Sequence, residues 1–438
     1  MGEDYILKFF VFSIFSDKKV GERRNTFITH IENYSSIRME SPKHFNGFIK
    51  TLWSMHMSFS KDVRDEAIAF TRESLVIDMY TTSFQYGSLM ISDESLQPGW
   101  FAKKSDRTFD LPKVIEGGLD IFGISMLDGY GLSHSSRFFR SNESENVTWL
   151  EEYPSGWEDF AWPPEPFGRY RMQTARSYLT YGLIFYDVVM REVEALPERL
   201  ILVKKSSDII RAKREGKVGI ILDCNCVQMI EDSLEMLRVL YRLGYRDMLL
   251  ARFSRNLVVD SWVQSRADSR LTPFGVAVVR EMNRLGMIVD LSHTSDRCFY
   301  DVLEVSKDPV ICSHSNARAV FDHPRNLSDD QIHALAEKRG VIGLMTFFIG
   351  PGPEYRDRRG WKVDDPRFQK WLDHCDHIVN LVGVDYVGWG SDGYETMIHS
   401  PVELPKITEG LMRRGYSKKE IKKILGENFL RIFREVVG

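Results

Sequence analysis

The sequence predicts an α/β protein, a (β/α)8 barrel of the TIM type preceded by an N-terminal helical extension. Three observations lead to this fold. The chain has 438 residues, of which 43% are hydrophobic, which suits one large barrel and excludes a disordered chain. Eight short apolar runs follow one another from residue 75 onward. Longer amphipathic stretches separate these runs, as expected where parallel strands alternate with helices.

The eight predicted strands are short and apolar, as strands covered on both faces should be. They cover residues 75–79, 118–126, 218–223, 247–251, 287–291, 309–312, 341–346 and 386–390. Helical patterns lie at residues 232–243, 274–285, 329–338 and 368–382. Ser417 and Glu420 have the spacing of a capping box, which predicts a last helix to about residue 437. We therefore expect the barrel at residues 71–438 and the helical extension at residues 1–70.

Charge and cysteine content narrow the classes of partner. Lys and Arg number 58 and Asp and Glu number 62, a formal charge of −4, so we expect no nucleic acid partner. The N-terminal apolar stretch at residues 5–15 contains Lys8 and is too short to span a membrane. Five cysteines without a CxxC pair indicate a reducing compartment. The sequence thus predicts a cytoplasmic protein with a small-molecule substrate and no membrane partner.

Polar residues follow several of the predicted strands, where the carboxyl ends of barrel strands share one mouth. His293 and His314 follow successive strands, and imidazole is the commonest metal ligand, although a single histidine is more often structural. Asp392 ends the last strand and could be a third ligand, a general acid or base, or a loop cap. The guanidinium of Arg325 is suited to binding both oxygens of a carboxylate. Alternatively, Arg325 is an ordinary surface arginine without a role in the site.

Several motifs in the same part of the chain resemble the renal (membrane) dipeptidase family of zinc peptidases. The resemblance covers residues 72–438. Its motifs are 233–244 (SLEMLRVLYRLG), Asn256, Asp260 with Ser261, 271–275 (LTPFG), 283–286 (NRLG), 290–295 (DLSHTS), 313–315 (SHS), 323–326 (HPRN), 387–392 (VGWGSD) and 426–428 (GEN).

The resemblance implies a (β/α)8 barrel that holds two zinc ions at its mouth and hydrolyses dipeptides or related amides. His293 and His314 match the histidines that bind one of the two metals. Arg325 matches the residue that holds the substrate carboxylate, and its neighbour Asn326 is assigned to the same substrate site. Asp392 matches the acidic residue near the substrate amine and the scissile bond.

Four other positions depart from the family pattern. Tyr80 and Thr82 stand where the family has a His-x-Asp pair of metal ligands. Asn225 stands at the position of the bridging glutamate, and Arg252 at that of a histidine that polarises the substrate carbonyl. Without the bridging carboxylate, a two-zinc centre is not expected. Tyr80 and Asn225 are then assigned to substrate binding, and Arg252 to catalysis as a fixed cation.

A site for one divalent metal remains open on this reasoning, with zinc favoured and iron or manganese as alternatives. His293 and His314 would be joined by Asp223, if that residue shares the inward face of its strand, by Asp392, or by a thiolate from Cys224 or Cys226. We expect Asp290 to orient His293 or a neighbouring helix.

Two functions fit these residues. The first is an enzyme with a one-metal or metal-free site that acts on a dipeptide- or amino-acid-derived small molecule, as in a biosynthetic tailoring step. The second is a catalytically inactive homologue that binds a small molecule or serves as a scaffold, because function depends on the site and not on the fold. The resemblance also implies a homodimer.

Overall fold

The computed structural model describes residues 62–83, 98–105, 108–125, 178–224, 227–252, 255–264, 269–357, 360–394 and 396–438. The chain divides into two compact units, Met1–Lys61 and Asp62–Gly438, and all described residues belong to the second. Most of the predicted helical extension at residues 1–70 lies outside the described residues, and so do Asn225 and Cys226.

Eight parallel strands form a nearly closed barrel in the described part of the chain, with a ninth strand attached to its side. The strands are β1 (Ile77–Thr81), β2 (Ile121–Ser125), β3 (Leu200–Leu202), β4 (Val218–Cys224), β5 (Tyr245–Leu249), β6 (Ile288–Asp290), β7 (Ile311–Cys312), β8 (Val341–Leu344) and β9 (Val387–Trp389). Their order is β1-β2-β4-β5-β6-β7-β8-β9, and β3 pairs with β4. A parallel bridge between Thr81 and Asp392 joins the two ends of this order.

The predicted fold class is therefore confirmed, and each of the eight predicted runs overlaps one barrel strand. β3 was not predicted. Its three residues are separated by a short turn from the helix that ends at Ala195, and so short an apolar run has no periodicity of its own.

Helices follow most strands and cover the outside of the barrel. They are α1 (Asp65–Glu73), α2 (Leu111–Gly117), α3 (Tyr178–Ala195), α4 (Ser206–Glu215), α5 (Leu234–Leu243), α6 (Pro273–Leu285), α7 (Asp296–Val305), α8 (Asp329–Glu337), α9 (Pro366–Val382), α10 (Pro405–Arg413), α11 (Lys418–Lys422) and α12 (Asn428–Val436). The capping box of Ser417 and Glu420 is present at the start of α11. The predicted last helix is interrupted by a π-helical turn at Lys423–Glu427. No helix in the described ranges is long and apolar enough to span a bilayer.

The barrel strands change from apolar to polar along their length, which places the site at one end. Side chains two residues apart on a strand share a face. Ile221 and Ile288 belong to a buried apolar cluster, and two residues further along the same strands stand Asp223 and Asp290, which are both buried. The polar end is the carboxyl end of the strands, where the predicted site residues lie.

Two glycines allow the last strands to pack tightly beside this polar end. A Cβ atom on Gly343 would lie 2.0 Å from the carbonyl oxygen of Ser313, and one on Gly390 would lie 1.8 Å from the same atom. We predict that Gly390→Ala lowers the free energy of unfolding by about 1–3 kcal/mol or more, because backbone must move to admit the methyl group. Urea denaturation measures this change. Gly393→Ala is the control, since its Cβ would meet only side-chain hydroxyl groups, that of Thr82 at 3.3 Å and that of Ser83 at 3.6 Å. Equal stability of the two variants would contradict the prediction.

Candidate active site

The predicted site residues that the structure describes lie at the carboxyl ends of the barrel strands. Tyr80 is in β1, Asp223 in β4, Arg252 after β5, His293 after β6, His314 after β7, Arg325 with Asn326 in the loop that follows, and Asp392 after β9. Two of them, His293 and Asp392, have left-handed backbone, with φ of 68° and 60°. Non-glycine residues rarely adopt this conformation, and such strain is concentrated at functional sites.

His293 and His314 are in direct contact. Their Nε2 atoms are 3.0 Å apart, and both side chains are buried. The other ring nitrogen of His293, Nδ1, accepts a hydrogen bond of 3.1 Å from the indole Nε1–H of Trp262. His293 also hydrogen-bonds to the backbone of Arg252, a contact that raises its pKa against the larger effect of burial. Which of the two histidines donates across the Nε2 pair depends on the tautomer of each ring.

The hydrogen bonds continue from His314 into the barrel. The Nδ1–H of His314 donates to the hydroxyl of Ser313 over 2.8 Å, and that hydroxyl donates to Asp290 Oδ2. Asp290 Oδ1 accepts from the backbone N–H groups of Ser292 and Ser313. Asp290 thus orients His314 through Ser313, which differs from the expectation that it orients His293 or a helix.

Both imidazoles are held neutral by their surroundings. Burial, and then the positive charge of Arg325, lower the pKa values of His293 and His314 well below the ordinary value.

Tyr80 covers the face of His314. The two rings are stacked with centroids 3.8 Å apart and planes 13° from parallel. Thr82, the other residue at a family ligand position, donates its hydroxyl to the carbonyl oxygen of Asp392 over 2.5 Å. These two side chains therefore close the barrel and pack against a histidine, and neither presents a strong metal ligand.

Arg325 is buried, and it uses only part of its hydrogen-bonding capacity. Its Nη1 donates to Ser315 Oγ at 2.9 Å, and its Nη2 donates to the carbonyl oxygen of His314 at 2.5 Å. Its Nε–H is buried and has no partner among the described residues. An unpaired buried donor is costly, so this atom is suited to a ligand that carries an acceptor.

Asn326 supports the loops beside Arg325. Its amide nitrogen donates to the carbonyl oxygens of Phe321 and Phe348, each at 3.0 Å. Its Oδ1 is buried and has no partner in the described ranges. Only this oxygen remains for the predicted substrate contact.

Asp392 faces the mouth between two arginines. Its side chain is partly exposed, and its backbone pairs with β1, where its N–H donates to Tyr80 O at 3.0 Å. Burial raises the pKa of the Asp392 carboxyl, and the charges of Arg325 and Arg252 act in the opposite direction. A carboxyl group with a raised pKa is suited to proton transfer.

Asp223 lies deeper in the barrel, among other carboxyl groups. It is opposite Asp247 in the pairing of β4 with β5, and both its oxygens are buried without a partner among the described residues. Burial, and then the charge of Asp290, raise the pKa of Asp223 well above its ordinary value. A raised pKa disfavours the ionised form that a metal requires of a carboxylate ligand. Cys224 faces the opposite way, with its Sγ 3.2 Å from Met229 Sδ in the outer core.

The described donors do not fit a metal at the histidine pair. No group of three or more His, Cys, Asp or Glu side chains in the described part of the chain is arranged to hold a metal ion. Two imidazoles alone are fewer than the three protein ligands of a catalytic zinc site.

Asp78, at the base of the mouth, should make stability depend on pH. Its Oδ1 accepts from the N–H groups of Ser391 and Tyr80, and burial raises its pKa to about 7. The folded state therefore holds this proton more tightly than the unfolded state does. The stabilisation is complete below about pH 4 and is lost at about 1.4 kcal/mol per pH unit as the pH rises to about 7.

Asp78→Asn, which cannot ionise, should therefore gain stability relative to the native chain as the pH rises from about 4 to 7. Urea denaturation at several pH values measures this gain. Asp364→Asn is the control, since that side chain is 78% exposed. A constant difference between Asp78→Asn and the native chain across this range would contradict the prediction.

Trp262 and Ser313 are the residues of the site to which the sequence analysis gave no role. Both stand inside or beside quoted motifs, since Trp262 follows Asp260 and Ser261 directly. Their roles depend on ring orientation and on hydrogen-bond direction, which residue spacing does not reveal.

Comparison with known proteins identifies the family. The family described as "Membrane dipeptidase (Peptidase family M19)" matches residues 101–437. The chain belongs to the membrane dipeptidase family. The resemblance predicted from the motifs is thus confirmed, and a solved dipeptidase of family M19 is described as a metallopeptidase.

Two proteins similar to this chain are named dipeptidases. The chain is 35% identical over 256 residues to Dipeptidase tcpJ of Claviceps purpurea (strain 20.1), covering 57% of this chain and 58% of tcpJ. It is 34% identical over 256 residues to Dipeptidase verJ of Clonostachys rogersoniana, covering 57% and 63%. The chain thus matches less than two thirds of the length of either relative.

Solved structures of dipeptidases share the fold. A metallopeptidase from Rhodobacter sphaeroides, liganded with a phosphinate mimic of L-Ala-D-Ala, superposes with a TM-score of 0.66 at 23% identity, covering 83% of this chain and 99% of that one. The probable dipeptidase PvdM from Pseudomonas aeruginosa gives 0.64 at 23% identity, with coverage of 85% and 98%.

Proposed function

We propose that this chain is an enzyme that acts on a small dipeptide- or amino-acid-derived substrate, as a biosynthetic tailoring step. Its site is a reduced form of the two-zinc centre, with at most one metal. Membership of the membrane dipeptidase family and the likeness to two proteins named dipeptidases support this substrate class.

The proposal rests on the burial of Arg325 and on its unpartnered Nε–H group. This guanidinium is buried, is fixed by Ser315 and His314, and keeps an unpartnered Nε–H. Arginine N–H groups in a fixed fork match the two oxygens of a carboxylate. A substrate with a free carboxylate would satisfy this donor and offset the buried charge.

The neighbouring residues then have complementary roles. Asp392 transfers a proton at the reacting bond, since it is partly exposed beside Arg325 and Arg252. Arg252 supplies a fixed positive charge where negative charge develops in the transition state. Tyr80 and Asn225 complete the substrate pocket. No step of the proposed reaction passes through a metal.

A substrate screen tests this function. The purified chain is incubated with dipeptides, N-acyl amino acids and amino-acid amides, and any change of mass is recorded. We expect turnover of compounds with a free carboxylate, and its loss in Asp392→Asn. Binding of such compounds without turnover would favour a small-molecule-binding homologue. If the chain neither binds nor converts any of these compounds, the proposal is refuted.

Cytoplasmic location and a homodimer belong to the same proposal. Localisation of a tagged full-length chain and light scattering of the purified protein test these two statements.

A further inference from the structure

We propose that a group of aromatic rings beside Arg325 receives the side chain of the substrate residue that carries the free carboxylate. The group consists of Trp262, Phe321, His323 and Phe348, and is called the aromatic cluster below. The substrate is then a dipeptide or N-acyl amino acid whose carboxyl-terminal residue has an aromatic or other large apolar side chain. This inference rests on the proposed function and specifies its substrate class.

The four rings of the aromatic cluster pack in one continuous group. The imidazole of His323 is central, with its centroid 4.6 Å from that of Phe348, 5.3 Å from that of Trp262 and 5.7 Å from that of Phe321. The rings of Trp262 and Phe348 also meet, with centroids 6.2 Å apart. Aromatic pairs at such separations attract each other, so the cluster forms a fixed apolar surface.

The aromatic cluster has a buried base and an accessible side. Trp262 and His323 are 3% and 4% exposed, whereas Phe321 and Phe348 are half-buried. An apolar group that covers the accessible part of these two rings removes apolar surface from water, which favours binding. The accessible side of the cluster is therefore suited to an apolar side chain.

Two connections place the aromatic cluster at the border of the mouth. On one side, the backbone N–H of Trp262 donates to the carbonyl oxygen of His293 over 2.8 Å, and its indole N–H donates to Nδ1 of the same residue over 3.1 Å. On the other side, Nδ1 of His323 accepts from the backbone N–H of Arg325 over 3.1 Å. The cluster thus connects the histidine pair with the segment that carries Arg325.

Asn326 holds the two accessible phenylalanines in place. Its amide nitrogen donates to the carbonyl oxygens of Phe321 and Phe348, each over 3.0 Å. Phe348 has left-handed backbone, with φ of 53°, and such strain is concentrated at functional sites. Because both hydrogen bonds end on backbone atoms, replacing either phenylalanine with alanine leaves them in place.

The geometry of an amino acid connects the aromatic cluster to the carboxylate site. The side chain of an α-amino acid starts from the carbon atom that carries the carboxylate. A carboxylate paired with Arg325 therefore places that side chain beside the guanidinium, next to the cluster. An apolar side chain would cover the two phenylalanine rings, glycine would leave them exposed, and a charged side chain would lose hydration there.

Binding of N-acyl amino acids tests this inference. Isothermal titration calorimetry with the full native chain compares N-acetylglycine with each enantiomer of N-acetylphenylalanine, which differ from it only by a benzyl group. We expect one enantiomer to bind at least about 10-fold more tightly than N-acetylglycine, the lower end of the discrimination that an apolar pocket achieves. Equal affinity would overturn the inference, while binding of N-acetylglycine would leave the proposed carboxylate site intact.

Two variants test whether the aromatic cluster causes the preference. Phe348→Ala and Phe321→Ala should each lose most of the preference for N-acetylphenylalanine, because each removes one accessible ring. Tyr300→Ala is the matched control, since Tyr300 is an aromatic residue on α7 that is 42% exposed; this variant should keep the preference.

The remaining outcomes separate this inference from the proposed function. If the preference persisted in both phenylalanine variants, the side chain would bind elsewhere and the inference would be wrong. If the native chain bound none of the three compounds, the inference would be overturned together with the assignment of the carboxylate site to Arg325.

Discussion

Replacing Arg325 with lysine is expected to lower kcat/KM for carboxylate-bearing substrates on the order of 100-fold, mainly through KM. The guanidinium binds Ser315 Oγ and the His314 carbonyl, and it still offers Nε–H to a ligand. A lysine ammonium keeps the charge, but it cannot reproduce this fixed fork. Steady-state kinetics with the best substrate from the screen measure the effect.

Arg284→Lys is the control for this variant. Arg284 is 60% exposed, pairs with Glu281 on α6, and should tolerate lysine within about 2-fold, because exposed ion pairs contribute little. If Arg325→Lys behaved like Arg284→Lys, the assignment of the carboxylate site to Arg325 would be wrong.

Asp392→Asn is expected to reduce kcat by about 10²–10⁴-fold, the usual contribution of a positioned acid or base. The amide has the same shape but cannot transfer the proton. Because burial raises the pKa of Asp392, kcat/KM of the native chain should rise with pH as the carboxyl ionises, with a midpoint above that of an ordinary aspartate. The pH profile of the residual activity in Asp392→Asn should lack this rise.

Asp385→Asn serves as the control, since Asp385 is just before β9, is 56% exposed and pairs with Lys423. This variant should keep both the rate and the pH profile. A rise with the same midpoint in Asp392→Asn would assign the ionisation to another group.

Much of the fold could be predicted because the barrel strands are buried on both faces. Runs such as residues 218–223 and 341–346 are apolar for that physical reason, and the structure places β4 and β8 there. Capping residues such as Ser417 also carry a local signal. β3 is too short to show a periodic pattern and has no capping residue that marks it, so its pairing with β4 depends on tertiary contacts alone.

The sequence predicts which candidate residues lie at the mouth of the barrel, but not which of their side chains contact each other. Residues at strand ends, such as His293 and His314, follow from barrel geometry. The stacking of Tyr80 on His314 and the donation from Trp262 to His293 depend on side-chain orientation. Trp262 is 31 residues from His293 in sequence, and no periodic pattern connects them. Burial likewise raises the pKa of Asp223, which its place in a strand pattern alone does not indicate.

We expect the mouth to recognise and transform a small substrate through its free carboxylate. To test this, kcat/KM of the native chain is compared for two forms of one substrate, the free acid and its C-terminal carboxamide. The free acid should be preferred by about 100-fold or more, because only a carboxylate pairs fully with the buried guanidinium of Arg325. Equal rates on the two forms would contradict it.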